Sequence, residues 1–136
     1  MNWGFVDRYA KSLIKEAGHK IRVSFFNKIH IDSKANANDL VTNIDREIEQ
    51  FFIERIKTDF PTHKIIGEEG FGDKVESVEV VVWILAPIDG TLNFINQQRN
   101  FAISLGIYLD GAGMLGYTYD VVRYTFIHPS IHCFTF

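Results

Sequence analysis

Apolar residues at Val6, Ala10, Leu13, Ile14 and Ala17 recur three and four positions apart, which predicts an amphipathic helix over roughly the first 25 residues. The same period returns at Ile44, Ile48, Phe51, Phe52 and Ile56. It predicts a second helix, ending before Pro61 because a proline ring cannot continue one. Between them, 27–38 is polar and mixed, a loop or short ribbon. After Pro61 the pattern shortens. A short strand is expected over 64–67, then a connection over 70–76. A strand over 78–85 has apolar residues on both faces, as one covered on both sides would. Phe101, Ile103, Leu105, Ile107 and Leu109 alternate with smaller or more polar neighbours. Asp110-Gly111-Ala112-Gly113 then turns the chain, and 114–119 returns as the partner of a β-hairpin. Two helices followed by mainly antiparallel strands make an α+β fold.

Composition narrows the class. With 46% hydrophobic and 23% charged residues, 136 residues suffice for one modest core. Fourteen basic against seventeen acidic residues give −3, so nothing favours nucleic acid or an anionic membrane. The lone Cys133 excludes an intramolecular disulfide and cysteine-built metal sites. Asp7, Arg8, Lys11, Lys15 and Glu16 interrupt the first 20 residues, which therefore read as neither signal peptide nor membrane span; the expected location is the cytoplasm. The end is aromatic and nearly uncharged: Tyr124, Phe126, Phe134 and Phe136 surround Ile127, His128, Ile131 and His132. Such a tail either packs locally as a strand or marks a longer protein that has been interrupted.

Candidate chemistry is carboxylate chemistry. Asp39, Asp45, Glu68, Glu69 and Asp89 fall where strands and helices begin or end. Mg2+, a small hard cation, takes several carboxylate oxygens in octahedral geometry. Two or three such ions can clamp a phosphate ester and lower the pKa of a bound water until it attacks. Each motif also has a plainer reading. Thr42-Asn43-Ile44-Asp45 is a helix-capping arrangement that needs no catalytic role. Gly67-Glu68-Glu69-Gly70 is an acidic, solvated turn, and Asp89-Gly90 is a common turn pair. Gly90-Thr91 could simply start a helix, although a helix N-terminus also attracts phosphate through its free N–H groups.

The order of these pieces is more informative than any one of them. Lys34, then Asp39-Leu40-Val41-Thr42-Asn43-Ile44-Asp45, then Gly67-Glu68-Glu69, then Trp83-Ile84-Leu85-Ala86-Pro87-Ile88-Asp89-Gly90-Thr91-Leu92-Asn93-Phe94 resemble the inositol monophosphatase pattern. The resemblance covers most of this chain but about the first half of a typical member, placed at 1–123 with 124–136 as a divergent apolar tail. It implies a layered α/β sandwich of the sugar phosphatase type, N-terminal half only. It also implies a Mg2+-dependent phosphomonoesterase acting on inositol phosphate or a similar small phosphate ester, and a homodimer. Glu68 would bind metal and orient the attacking water, Thr91 would hydrogen-bond that water, and Asp45 would support Thr91. Asp89 and the Ile88 carbonyl would bind metal, the N–H groups of Gly90 and Thr91 would hold phosphate, and Lys34 and Asp39 would lie at the rim.

Two departures qualify the expectation. The family's loop reads Asp-Pro-Ile-Asp-Gly-Thr, and its first aspartate, which bridges two metals, is Ala86 here. A methyl group supplies no oxygen, so both metals lose a ligand. The family's remaining metal aspartate, in a Trp-Asp-x-Ala-like motif, belongs to a C-terminal half that this sequence lacks. After Arg123 the pattern stops, as a frameshift or premature stop would produce. The expectation is an impaired or inactive phosphatase. The alternative is a non-catalytic fragment that acts at most as a binding or interaction module.

Overall fold

The computed structural model describes residues 1–33, 40–73 and 80–135, and only the backbone at 40 and 128–135. Helix α1 spans Trp3–Ser24. Its N-terminus is closed by Asn2, whose side-chain oxygen accepts from the Phe5 N–H at 3.0 Å. A two-stranded ribbon, β1 (Ile31–Ser33) with β2 (Leu40–Thr42), leads into α2 (Asn43–Asp59). The rest is a five-stranded sheet of β3 (Lys64–Gly67), β4 (Val81–Asp89), β5 (Ala102–Leu109), β6 (Ala112–Asp120) and β7 (Thr125–Thr135), hydrogen-bonded in that order. A short helix, α3 (Thr91–Gln97), lies between β4 and β5. Among the described residues only β3 runs parallel to its neighbour, and every other pair is antiparallel.

The predicted helices stand within one or two residues of their expected bounds, and their apolar stripes are the buried ones. Val6, Ala10, Leu13, Ile14, Ala17 and Ile21 of α1 join Ile48, Phe52 and Ile56 of α2. They pack on Trp83, Leu85, Ile103, Leu105, Ile107, Leu115 and Tyr119 from one face of the sheet. Each fully buried aliphatic or aromatic side chain contributes about 1.5–3 kcal/mol over its exposed state. At one corner His63 stacks on Phe60 with centroids 4.6 Å apart, and accepts at Nδ1 a hydrogen bond from Trp83 Nε1 at 2.9 Å. That corner ties the end of α2 to β4.

Two expectations change. The strand expected over 78–85 does not stop at Leu85 but continues, as β4, to Asp89. Val81, Val82 and Trp83 are all buried at its start, and Pro87 and Ile88 are both buried near its end, but the stretch between them is not covered on both faces. From Ile84 on, Ile84 and Ala86 are only half-buried, like Ser104, Gly106, Thr118 and Gly116 beside them on β5 and β6. The helices thus cover one face of the sheet and leave much of the other half-exposed. The tail forms an edge strand over 125–135, as one of its two readings had it, paired with β6 from Asp120↔Thr125 to Ala112↔Thr135 with register shifts between Gly113/Leu115 and Gly116/Thr118.

Candidate functional site

Helix α2 begins with a complete capping box. Thr42 Oγ1 accepts from the Asp45 N–H at 3.2 Å, while Asp45 Oδ2 accepts from the Thr42 N–H at 2.8 Å. The other carboxylate oxygen of Asp45 faces away from the cap and accepts from Thr91 Oγ1 at 3.1 Å. The capping reading of this motif is thus borne out, and the same side chain, 1% exposed, also holds the Thr91 hydroxyl. Thr91 Oγ1 also lies 3.2 Å from the Ile88 carbonyl, so its single hydrogen has two acceptors within reach. Gly90, at φ 97°, is the N-cap of α3 and Thr91 its first residue. That left-handed turn suits glycine, since a Cβ there is strained.

The register of β4 decides what faces outward. Ala86 pairs with Ser104 and Asp89 with Ala102, so three steps on β4 match two on β5. One residue is extra, a bulge around Pro87, which has no N–H to give the ladder. Strict alternation would have placed Ile88 on the face of Ala86 and Asp89 toward the core. The bulge reverses this. Ile88 is 2% exposed, and Asp89 lies outward with Oδ2 3.3 Å from the Ser104 hydroxyl, which donates to it.

Beside this strand, the carboxyl end of β3 runs parallel and in register, Gly67 opposite Leu85. The Glu68 N–H continues the pairing by donating to the Leu85 carbonyl at 3.1 Å. Glu68 and Asp89, both exposed, thereby line one open cavity of about 300 Å³ together with Ile66, Gly67, Ile84 and Ala86. Ala86 presents only a methyl group to the same cavity. These are hard oxygen donors of the kind Mg2+ takes. Among the described residues, however, no three His, Cys, Asp or Glu side chains group closely enough to hold a metal ion. The described donor set falls short of a two-metal clamp.

The structure thus brings together Asp45, Thr91, Ile88 and Gly90 on one side and Glu68 and Asp89 on the other. Lys34 and Asp39 lie outside the described residues. A larger groove of about 470 Å³, lined by His19, Lys20, Lys28, Asn43 and Glu47 among others, contains none of the expected site residues. Sequence reading missed Glu49. This glutamate is 0% exposed, and its two oxygens accept from the N–H groups of Glu69 at 2.8 Å and Phe71 at 2.9 Å. A signal was present: Asp45, Glu49, Phe52 and Ile56 fall on one stripe of α2, so an acid occupies an apolar position.

Among the described residues no helix is long and apolar enough to cross a membrane. The model of the Inositol monophosphatase family matches residues 3–130. The inositol-1-monophosphatase of Bacillus subtilis (strain 168) is 56% identical over 127 residues, which are 93% of this chain and 48% of that protein. The crystal structure of SaIMPase-II bound to inositol monophosphate is 39% identical with a TM-score of 0.72, covering 87% of this chain and 41% of the other. That of an IMPase/NADP phosphatase complexed with NADP and Ca2+ is 29% identical with a TM-score of 0.85, covering 98% and 52%. The chain spans about half the length of the curated relatives it matches.

Proposed function

The chain belongs to the inositol monophosphatase family, and on that premise we propose that it carries the N-terminal half of a phosphomonoesterase site for inositol phosphate or a similar small phosphate ester, impaired or inactive as it stands. The observation that supports this most is the cavity shared by Glu68, Ala86 and Asp89, where the resemblance puts a methyl group at the position of the family's bridging carboxylate.

What the present residues do follows from their hydrogen bonds. Thr91 gives its hydrogen to Asp45 or to the Ile88 carbonyl, which leaves its oxygen to accept one from a water. Asp45 fixes that hydroxyl and is itself held by the cap of α2. The resemblance makes the N–H groups of Gly90 and Thr91 the phosphate donors, at the left-handed turn that opens α3. Glu68, Asp89 and the Ile88 carbonyl suit Mg2+ but supply too few oxygens for two ions, so no step of turnover is assigned to a metal here. A homodimer in the cytoplasm belongs to the same reading.

The test is phosphate release from inositol monophosphate in Mg2+ by the chain and by Ala86→Asp. Each is assayed alone and with the separately expressed C-terminal half of the B. subtilis relative, association being checked by gel filtration. Turnover only by Ala86→Asp with the added half supports the proposal. Equal turnover by the unaltered chain removes the impairment. An associated but silent Ala86→Asp pair removes the phosphatase reading.

A second reading, a non-catalytic interaction module, is favoured by the half-exposed face of the sheet and by Tyr124, 64% exposed. A saturable partner in a binding assay, with no turnover by any pair above, would select it.

A further inference from the structure

A fully buried carboxylate that ends on two backbone amides of a loop is an expensive way to fill space, because an ion loses its hydration on burial. Glu49 does this one helical turn after Asp45. Its oxygens take the N–H groups of Glu69 and Phe71, on either side of Gly70, whose φ of 84° is the left-handed conformation that turns the loop there. Room for the carboxylate comes from Gly67, where a Cβ would overlap Glu49. The turn is also held at its two ends. The Glu68 N–H donates to the Leu85 carbonyl at 3.1 Å, and Asp73 accepts from the Ile65 N–H at 3.0 Å while pairing with Lys57 at 2.6 Å.

We propose that Glu49 is a positioning residue for the cavity: it clamps the 68–71 turn so that Glu68 is presented toward Asp89. Consecutive turns of α2 then set both sides of the site, Asp45 through Thr91 and Glu49 through the Glu68 turn. The value of that presentation rests on the phosphatase reading; the clamp itself does not.

The experiment is amide hydrogen exchange and 15N relaxation on the full-length labelled chain, with neither metal nor phosphate present. In the unaltered chain the Glu69 and Phe71 amides are protected. Glu49→Gln keeps one acceptor and exposes one of the two amides, with exchange about tenfold faster or more for each hydrogen bond lost. Glu49→Met, of similar shape and without acceptors, exposes both, and the order parameter of the Glu68 amide falls while those of Trp83 and Ile103 hold. Unchanged protection, or an unchanged Glu68, in a folded Glu49→Met chain overturns the proposal. If that variant does not fold, through-hydrogen-bond couplings from the Glu69 and Phe71 amides to the Glu49 carboxylate carbon decide on the unaltered chain: present, the clamp stands; absent, it falls. A confirmed clamp in a chain whose restored site releases no phosphate would leave the geometry intact and remove the phosphatase reading alone.

Discussion

Ala86 and Asp89, three positions apart on β4, share one face of the sheet, because the bulge at Pro87 inserts an extra residue between their partners Ser104 and Ala102. Without that residue Asp89 would point into the core and Ile88 into the cavity. Restoring a carboxylate at 86 therefore places it on the side of both Asp89 and Glu68. A carboxylate that touches the metal itself should matter more than the roughly 10–100-fold that loss of an outer partner costs in affinity. In thermal melts the unaltered chain is expected to respond weakly to millimolar Mg2+. Ala86→Asp should melt lower without Mg2+, through repulsion among three carboxylates, and several degrees higher with it. Equal Mg2+ responses in the two chains would count against the cavity as a cation site.

Thr91→Val tests the other side. It removes the donor to a buried oxygen of Asp45 while keeping shape, so the cost is that of an unsatisfied acceptor, about 1–3 kcal/mol in urea unfolding. Thr91→Ser keeps the hydroxyl and should lose less than half of that. A Val variant as stable as the parent would mean that the 3.1 Å contact contributes nothing to the folded state.

The helices, the hairpin and the site order were legible because period and sequence order carry them: the α1 stripe, the alternation of β5 and the loop from Trp83 to Phe94. What was not legible depends on register. Pro87 could be read as the end of a strand, but only pairing with β5 reveals that it makes a bulge and that Asp89 changes face. The same limit hid Glu49, whose role exists only once the 68–71 turn folds over α2. It also gave the strand 78–85 two covered faces, since an apolar residue at Ile84 does not reveal what covers it.

Gly72 offers a check on the far end of the site turn. A Cβ there would overlap the Ile65 carbonyl, at the point where the Asp73 N–H donates to that same oxygen at 2.6 Å. Backbone cannot step aside as a flexible side chain can. Gly72→Ala should cost about 1–3 kcal/mol, as overpacking does. The conformation of 70–73, read from amide shifts, should change with it; a neutral substitution would show that the turn relaxes freely.

His63 gives the fold a pH dependence. Burial lowers its pKa below the usual value of 6.5, and the ring accepts from Trp83 Nε1 at Nδ1, so the folded form is neutral with its proton on Nε2. The unfolded chain binds a proton near pH 6.5 that the folded chain does not, so stability rises with pH there. The contribution is complete above the unfolded pKa and is lost as pH falls below it, until the folded ring also titrates. His63→Phe keeps the stack on Phe60 but leaves the Trp83 N–H without its acceptor, costing about 1–3 kcal/mol at pH 8. Urea unfolding between pH 5 and 8 should therefore show a lower stability and a flatter pH slope in His63→Phe than in the parent. An unchanged slope would place the pH dependence of this fold elsewhere.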